Sequence, residues 1–223
     1  MREKGMMKKT RLFWILFISL LAVWSISAFG DEIDDSVVGL YKEHGYVNEY
    51  FGYQLDLPDE FKPESRGLMT FVNESVVDSA NKESNIDHLK TLLKLSAAKV
   101  FGAESDRDFI TITVESPGIL KDYWEEEDVV AENSVQTIVT SLQEKADEAG
   151  AFLTNVDTHV DTLDDFAGGK HSVILYKYTW DEIPVYGLFV LIRSADRQYL
   201  SEIMMESSDA ASIEKICGYF SAL

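Results

Sequence analysis

Apolar and polar positions recur with two different periods along this chain, and each change of period marks an element. Phe51, Tyr53, Leu55 and Leu57 alternate with Gly52, Gln54 and Asp56 before Pro58-Asp59, which predicts a half-buried strand ending in a turn. Residues 60 to 85 carry loop signals, with a candidate strand at Leu68 to Val72. Over Ile86 to Val100 the period lengthens. Ile86, Leu89, Leu92, Leu93 and Val100 fall near one helical face, and Gly102 is placed to stop that helix. In Arg107 to Glu115, Ile110, Ile112 and Val114 alternate with Phe109, Thr111 and Thr113, so a strand is expected.

The clearest helix covers residues 129 to 149, where Val135, Ile138, Val139, Leu142, Ala146 and Ala149 share one face. Acids from Glu125 to Asp128 precede it and suit the positive end of its dipole, while Gly150 supplies a C-cap. Beside these acids, Tyr123-Trp124 offers the alternative of an aromatic platform for a sugar. Four strand-like runs follow, at Phe152 to Asp161, His171 to Trp180, Tyr186 to Arg193 and Tyr199 to Met205. Their connections, at Asp164 to Lys170, Asp181 to Val185 and Ser194 to Gln198, are too short for parallel crossovers and predict antiparallel hairpins. Leu188 to Ile192 is apolar on both faces, as in a central strand covered by a helix on one side and a second layer on the other. A last helix is expected from about Asp209, with Ile213, Ile216, Cys217, Phe220 and Leu223 on one stripe and Cys217 as a small core residue. The pattern is that of an α+β domain built on an antiparallel sheet.

The first 30 residues read differently. Arg2, Lys4, Lys8, Lys9 and Arg11 precede an uncharged run from Leu12 to Phe29, the n-region and h-region of a secretory signal peptide. Ala28 and Gly30 are the small residues a signal peptidase requires, and Asp31 opens an acidic lead to residue 45 that reads as a short helix or a flexible segment. Cleavage is expected after Gly30. The alternative is an uncleaved anchor, since about 18 residues at ~1.5 Å rise nearly span a hydrocarbon core. Both place the domain, residues 46 to 223, outside the membrane, with no stable span left after cleavage. A lipid anchor has no cysteine to use, because Cys217 is the only one.

Charge narrows the partners. The chain carries a formal charge of −19, and removal of residues 1 to 30 leaves 15 basic against 38 acidic residues, or −23. Such a field repels nucleic acid and attracts cations or basic proteins, so the expected partner is an unknown envelope or extracellular protein. With one cysteine, this exported domain must rest on its core alone. In that bacterial-type setting the Asn73-Glu74-Ser75 sequon is accidental.

Two stretches carry a family resemblance. Tyr46-Val47-Asn48-Glu49-Tyr50-Phe51-Gly52-Tyr53-Gln54-Leu55-Asp56-Leu57-Pro58 is similar to the opening strand pair of the PsbP-like family, and Phe166-Ala167-Gly168-Gly169-Lys170-His171-Ser172-Val173, two strands, Tyr199-Leu200 and a terminal helix resemble its C-terminal half. That family includes the extrinsic P subunit of the photosynthetic oxygen-evolving complex, the Ran-binding nuclear import factor and exported bacterial domains. The resemblance implies an antiparallel sheet sandwiched by helices and used for binding or assembly. Residues 60 to 106 match it poorly.

Chemistry leaves little trace. There is no G-x-S-x-G, H-E-x-x-H, P-loop, G-x-G-x-x-G or C-x-x-C, so no catalytic residue and no organic cofactor is assigned. Asp157, His159 and Asp161 would project from one face of a strand, where they could meet a divalent cation such as zinc, manganese or calcium with help from Asp164 or Asp165. Equally, Val156 and Val160 are the buried side of that strand and the polar residues face water. His44, His88 and His171 have no neighbouring partner in sequence. The leading expectation is a non-catalytic envelope binding or assembly domain, the second a cation-binding or sensing domain, and the third a hydrolase of wall or surface polymers.

Overall fold

A computed structural model describes residues 37–63, 97–115 and 126–223. They form a mixed α+β domain of two antiparallel sheets and two helices, dominated by strands. The chain begins with β1 (Leu40–Lys42), β2 (Gly45–Asn48), β3 (Tyr53–Asp56) and β4 (Lys62–Pro63). After it come β5 (Ala97–Glu104), β6 (Asp108–Glu115) and the helix α1 (Glu127–Ala149). The meander β7 (Leu153–Phe166), β8 (Gly169–Trp180), β9 (Ile183–Arg193) and β10 (Leu200–Ser207) follows, then α2 (Ala210–Cys217) and β11 (Phe220–Ala222). The large sheet runs β4-β5-β6-β10-β9-β8-β7 and the small one β1-β2-β3-β11.

The large sheet is buried on both faces through the side-chain alternation of its central strands. Phe189 and Leu191 of β9 turn with Phe109, Ile174 and Met204 towards Ile138, Leu142 and Ala146 of α1. Leu188, Val190 and Ile192 turn the opposite way with Ile112, Ile203 and Met205, against Tyr46, Tyr53 and Leu55 of the small sheet and Ile213 and Ile216 of α2. The expectation of a central strand covered by a helix and a second layer is met, and that second layer is mainly a sheet.

Two of the meander's turns are tighter than expected. Ala167-Gly168 (φ 51° and 79°) and Asp181-Glu182 (φ 47° and 73°) are two-residue links with both residues left-handed, the geometry whose twist matches a hairpin. Strands therefore absorb most of the residues assigned to loops. Gly150 takes the left-handed φ of 62° expected of a C-cap.

Three expectations are corrected. Residues 97 to 100 belong to β5 and not to a helix, and Gly102 lies inside that strand opposite Thr111. A register shift between Lys99 and Phe101 breaks the two-residue period that would have marked it. The remainder of that helix, residues 86 to 96, and the strand at 68 to 72 lie outside the described residues. The acidic lead contains β1, paired with β2 from Leu40↔Val47 to Lys42↔Gly45. The terminal helix, capped by Asp209 accepting from Ala211 N, ends at Cys217, and Phe220 enters β11 opposite Leu55 of β3.

The small sheet is tied down by polar anchors. Asn48, fully buried, donates to Val37 O and Tyr46 Oη at 2.9 Å each, and its Oδ1 accepts from Tyr50 N and Phe51 N at 3.1 Å each. Tyr50 Oη donates to Asp196 Oδ2 across 2.6 Å, which links the β2–β3 turn to the β9–β10 turn.

Candidate functional site

The most unusual surface lies where α1 hands the chain to β7. Gly150 reverses the backbone, Ala151 N returns to Ala146 O at 2.9 Å, and Phe152 follows with 80% of its surface exposed. Phe152 N donates to Asp181 Oδ1 and Asp181 N to Phe152 O, each across 3.1 Å, so the β8–β9 turn holds that backbone from both sides. Ile183, 47% exposed, stands two residues along from Asp181 and opposite Trp180. An aromatic and an aliphatic side chain are thus held outward on a braced corner.

Its rim is acidic. Asp147, Glu148, Asp181 and Glu182 are all exposed, and the last turn of α1 contains no basic residue. Carboxylates at the negative end of a helix dipole are unfavourable by a few tenths to about 1 kcal/mol each. Asp147 Oδ1 accepts from Gln143 Nε2 across 3.0 Å, which offsets part of that cost. Among the described residues Asp147, Asp181 and Glu182 take part in no salt bridge, and Glu148 lies in the field of Lys145, one turn earlier on α1. A cationic partner offering an apolar side chain would relieve both features.

Asp157, His159 and Asp161 do share one exposed face of β7, the outermost strand of the large sheet. Asp157 is engaged by Lys177 Nζ of β8 at 3.0 Å, and that hydrogen bond and charge hold its carboxyl below the usual range. Asp164 pairs with Lys170 at 2.8 Å. Among the described residues no three His, Cys, Asp or Glu side chains converge as a metal-holding group. Val156 and Val160 pack towards α1, as the alternative reading of that strand requires. Cys217, the last residue of α2, is partly buried against the core, and burial pushes its thiol up to about 11, the condition of an unreactive cysteine.

One cluster escaped the sequence reading. The acids at the start of α1 are not simply solvated: Glu127 Oε1 accepts from Arg193 N at 2.8 Å, and Oε2 lies 3.7 Å from His171 Nδ1. Burial pushes the Glu127 carboxyl up, but His171 and the backbone donor outweigh it and leave it lowered. Glu126 takes Arg197 at 2.6 Å on the surface. Together these acids clamp α1 to β8, β9 and the turn after it. Their partners lie far away in sequence, so local pattern carried no signal of them. Tyr123-Trp124, like Ala28, Gly30 and Asp31, lies outside the described residues.

No protein-family model matches the chain, and no curated protein does. No helix among the described residues is long and apolar enough to cross a membrane.

Proposed function

We propose that this chain is an exported, non-catalytic domain that binds or helps assemble a basic protein in the cell envelope, with the Phe152 corner as its docking surface. The observation that carries this reading is Phe152, 80% exposed and braced at its backbone by Asp181. Rigid aromatics lose little entropy on docking and are the usual anchors of protein interfaces. The exposed carboxylates around it favour a basic partner and disfavour a second copy of this acidic chain. The PsbP-like resemblance adds support, because β2 and β3 pair where its opening strands are expected and β8 to α2 follow its C-terminal order. The terminal strand β11 and the small sheet in place of a helical layer are departures from it.

The binding half is tested with purified chain immobilised against an envelope extract. A basic protein retained at low salt, released by about 0.5 M salt and not retained by Phe152→Ser is the expected result. Equal retention by Phe152→Ser would remove the corner from the account. The export half is tested by N-terminal sequencing of the protein recovered from cells. Asp31 as first residue is expected, whereas Met1 on an outward-facing domain would replace the cleaved leader by an anchor.

A further inference from the structure

The face of the large sheet that turns towards α1 carries a row of polar side chains in an otherwise apolar layer. Phe109, Thr111, Thr113 and Glu115 of β6 alternate onto that face, and Thr113 stands opposite Glu202 of β10 in the strand register. Glu115 and Thr111 are its two diagonal neighbours, within reach of a glutamate side chain. Glu202 is buried, Thr111 fully so, and Thr113 is 6% exposed. Among the described residues neither threonine Oγ1 has a hydrogen-bond partner. Buried hydroxyls are nearly always satisfied, and an orphan costs about 1–3 kcal/mol, so two beside a pair of carboxyls call for a reason.

Glu115, at the end of β6, is partly exposed, and two neighbouring carboxyls resist joint ionisation unless a cation joins them. Burial, and for Glu202 the Glu115 charge as well, raises both acids above the usual range, a cost that a cation between them would relieve. Lys99, the register partner of Thr113 on β5, carries its ammonium over the Phe109 ring at 5.6 Å. Every donor in the row is oxygen. That excludes a preference for soft metals and suits a hard cation, with two carboxylates and two hydroxyls offering up to about six oxygens, the lower end of the calcium shell.

We propose that Glu115, Glu202, Thr113 and Thr111 form a calcium site between β6 and β10, separate from the Phe152 corner and from Asp157, His159 and Asp161. The inference does not depend on the proposed partner.

The test is calorimetric titration of the purified chain with calcium chloride at pH 7.5. Saturable binding in the range of about 0.1–1 mM is expected, as for extracellular calcium modules. Glu202→Gln, which keeps the neutral shape, should lose the binding, and Thr113→Val should weaken it about tenfold. Asp161→Asn should leave it unchanged. If Glu202→Gln loses its native circular dichroism, Thr113→Val decides. No saturable heat up to about 10 mM, affinity undiminished by Thr113→Val, or loss of binding in Asp161→Asn would each overturn the proposal.

Discussion

Tyr176 reaches Glu206 from two strands away, donating its hydroxyl to Oε1 across 2.6 Å. The ring lies over Gly187 of β9, which stands between Tyr176 of β8 and Glu206 of β10 in the register. A Cβ at Gly187 would be 2.1 Å from Tyr176 Cζ. Gly187→Ala is therefore expected to expel the ring and break the hydrogen bond, lowering stability by about 3 kcal/mol. Tyr176→Phe removes the hydroxyl alone and leaves Glu206 with Tyr178 at 3.4 Å, for a loss of about 1–2 kcal/mol. Urea denaturation of both variants measures the difference.

Glu206 makes stability depend on pH. Burial pushes its carboxyl up to about 8, and the two tyrosine hydroxyls only partly offset this. The folded chain thus keeps a proton that the unfolded chain releases above about pH 4.5. This contribution is complete below about pH 4.5 and is lost as pH rises towards 8. Glu127, whose carboxyl is lowered, works in the other direction, and its contribution falls away as the solution is acidified below its unfolded value. Glu115 and Glu202, also raised by burial, act in the same direction as Glu206, so denaturation midpoints measured from pH 3 to 9 should pass through a maximum near pH 5, and Glu206→Gln should remove part of the alkaline slope.

The two acids at the start of α1 should differ in weight. Glu127→Ala orphans the backbone N–H of Arg193 and is expected to cost about 1–3 kcal/mol. Arg197→Ala removes an exposed pair with Glu126 and should cost less than about 1 kcal/mol. Thermal unfolding of the two variants side by side checks the order.

Asn48 uses both donors and its acceptor in a fully buried position. Asn48→Ala strands Tyr50 N and Phe51 N as well as Val37 O, and is expected to cost about 3 kcal/mol or more. Hydrogen exchange should show that loss concentrated in β1 to β3.

These relationships separate what sequence pattern conveys from what it cannot. Helix α1 was legible because Ile138 and Leu142 share one face at helical spacing, and the meander β7–β10 because its apolar runs, Leu188 to Ile192 above all, are separated by links too short for a crossover. At β5 the register shift at Lys99–Phe101 interrupts that period, and the alanine-rich run before it imitates a helix. β1 and β11 exist because of their partners, β11 pairing with β3 from the opposite end of the chain, and neither has a local signature. The site follows the same division. Alternation exposed the shared face of Asp157, His159 and Asp161, but Lys177 beside Asp157 and the outward hold of Asp181 on Phe152 arise only when β7, β8 and β9 come together.

The central claim, a partner docked at the braced corner, is tested most directly inside the cells that make the protein. A photo-crosslinking phenylalanine analogue at Phe152 should yield one adduct with a basic envelope or extracellular protein, absent when the analogue replaces exposed Lys42 on the small sheet. No adduct from position 152 in the folded, exported chain, or the same adducts from both positions, would contradict it.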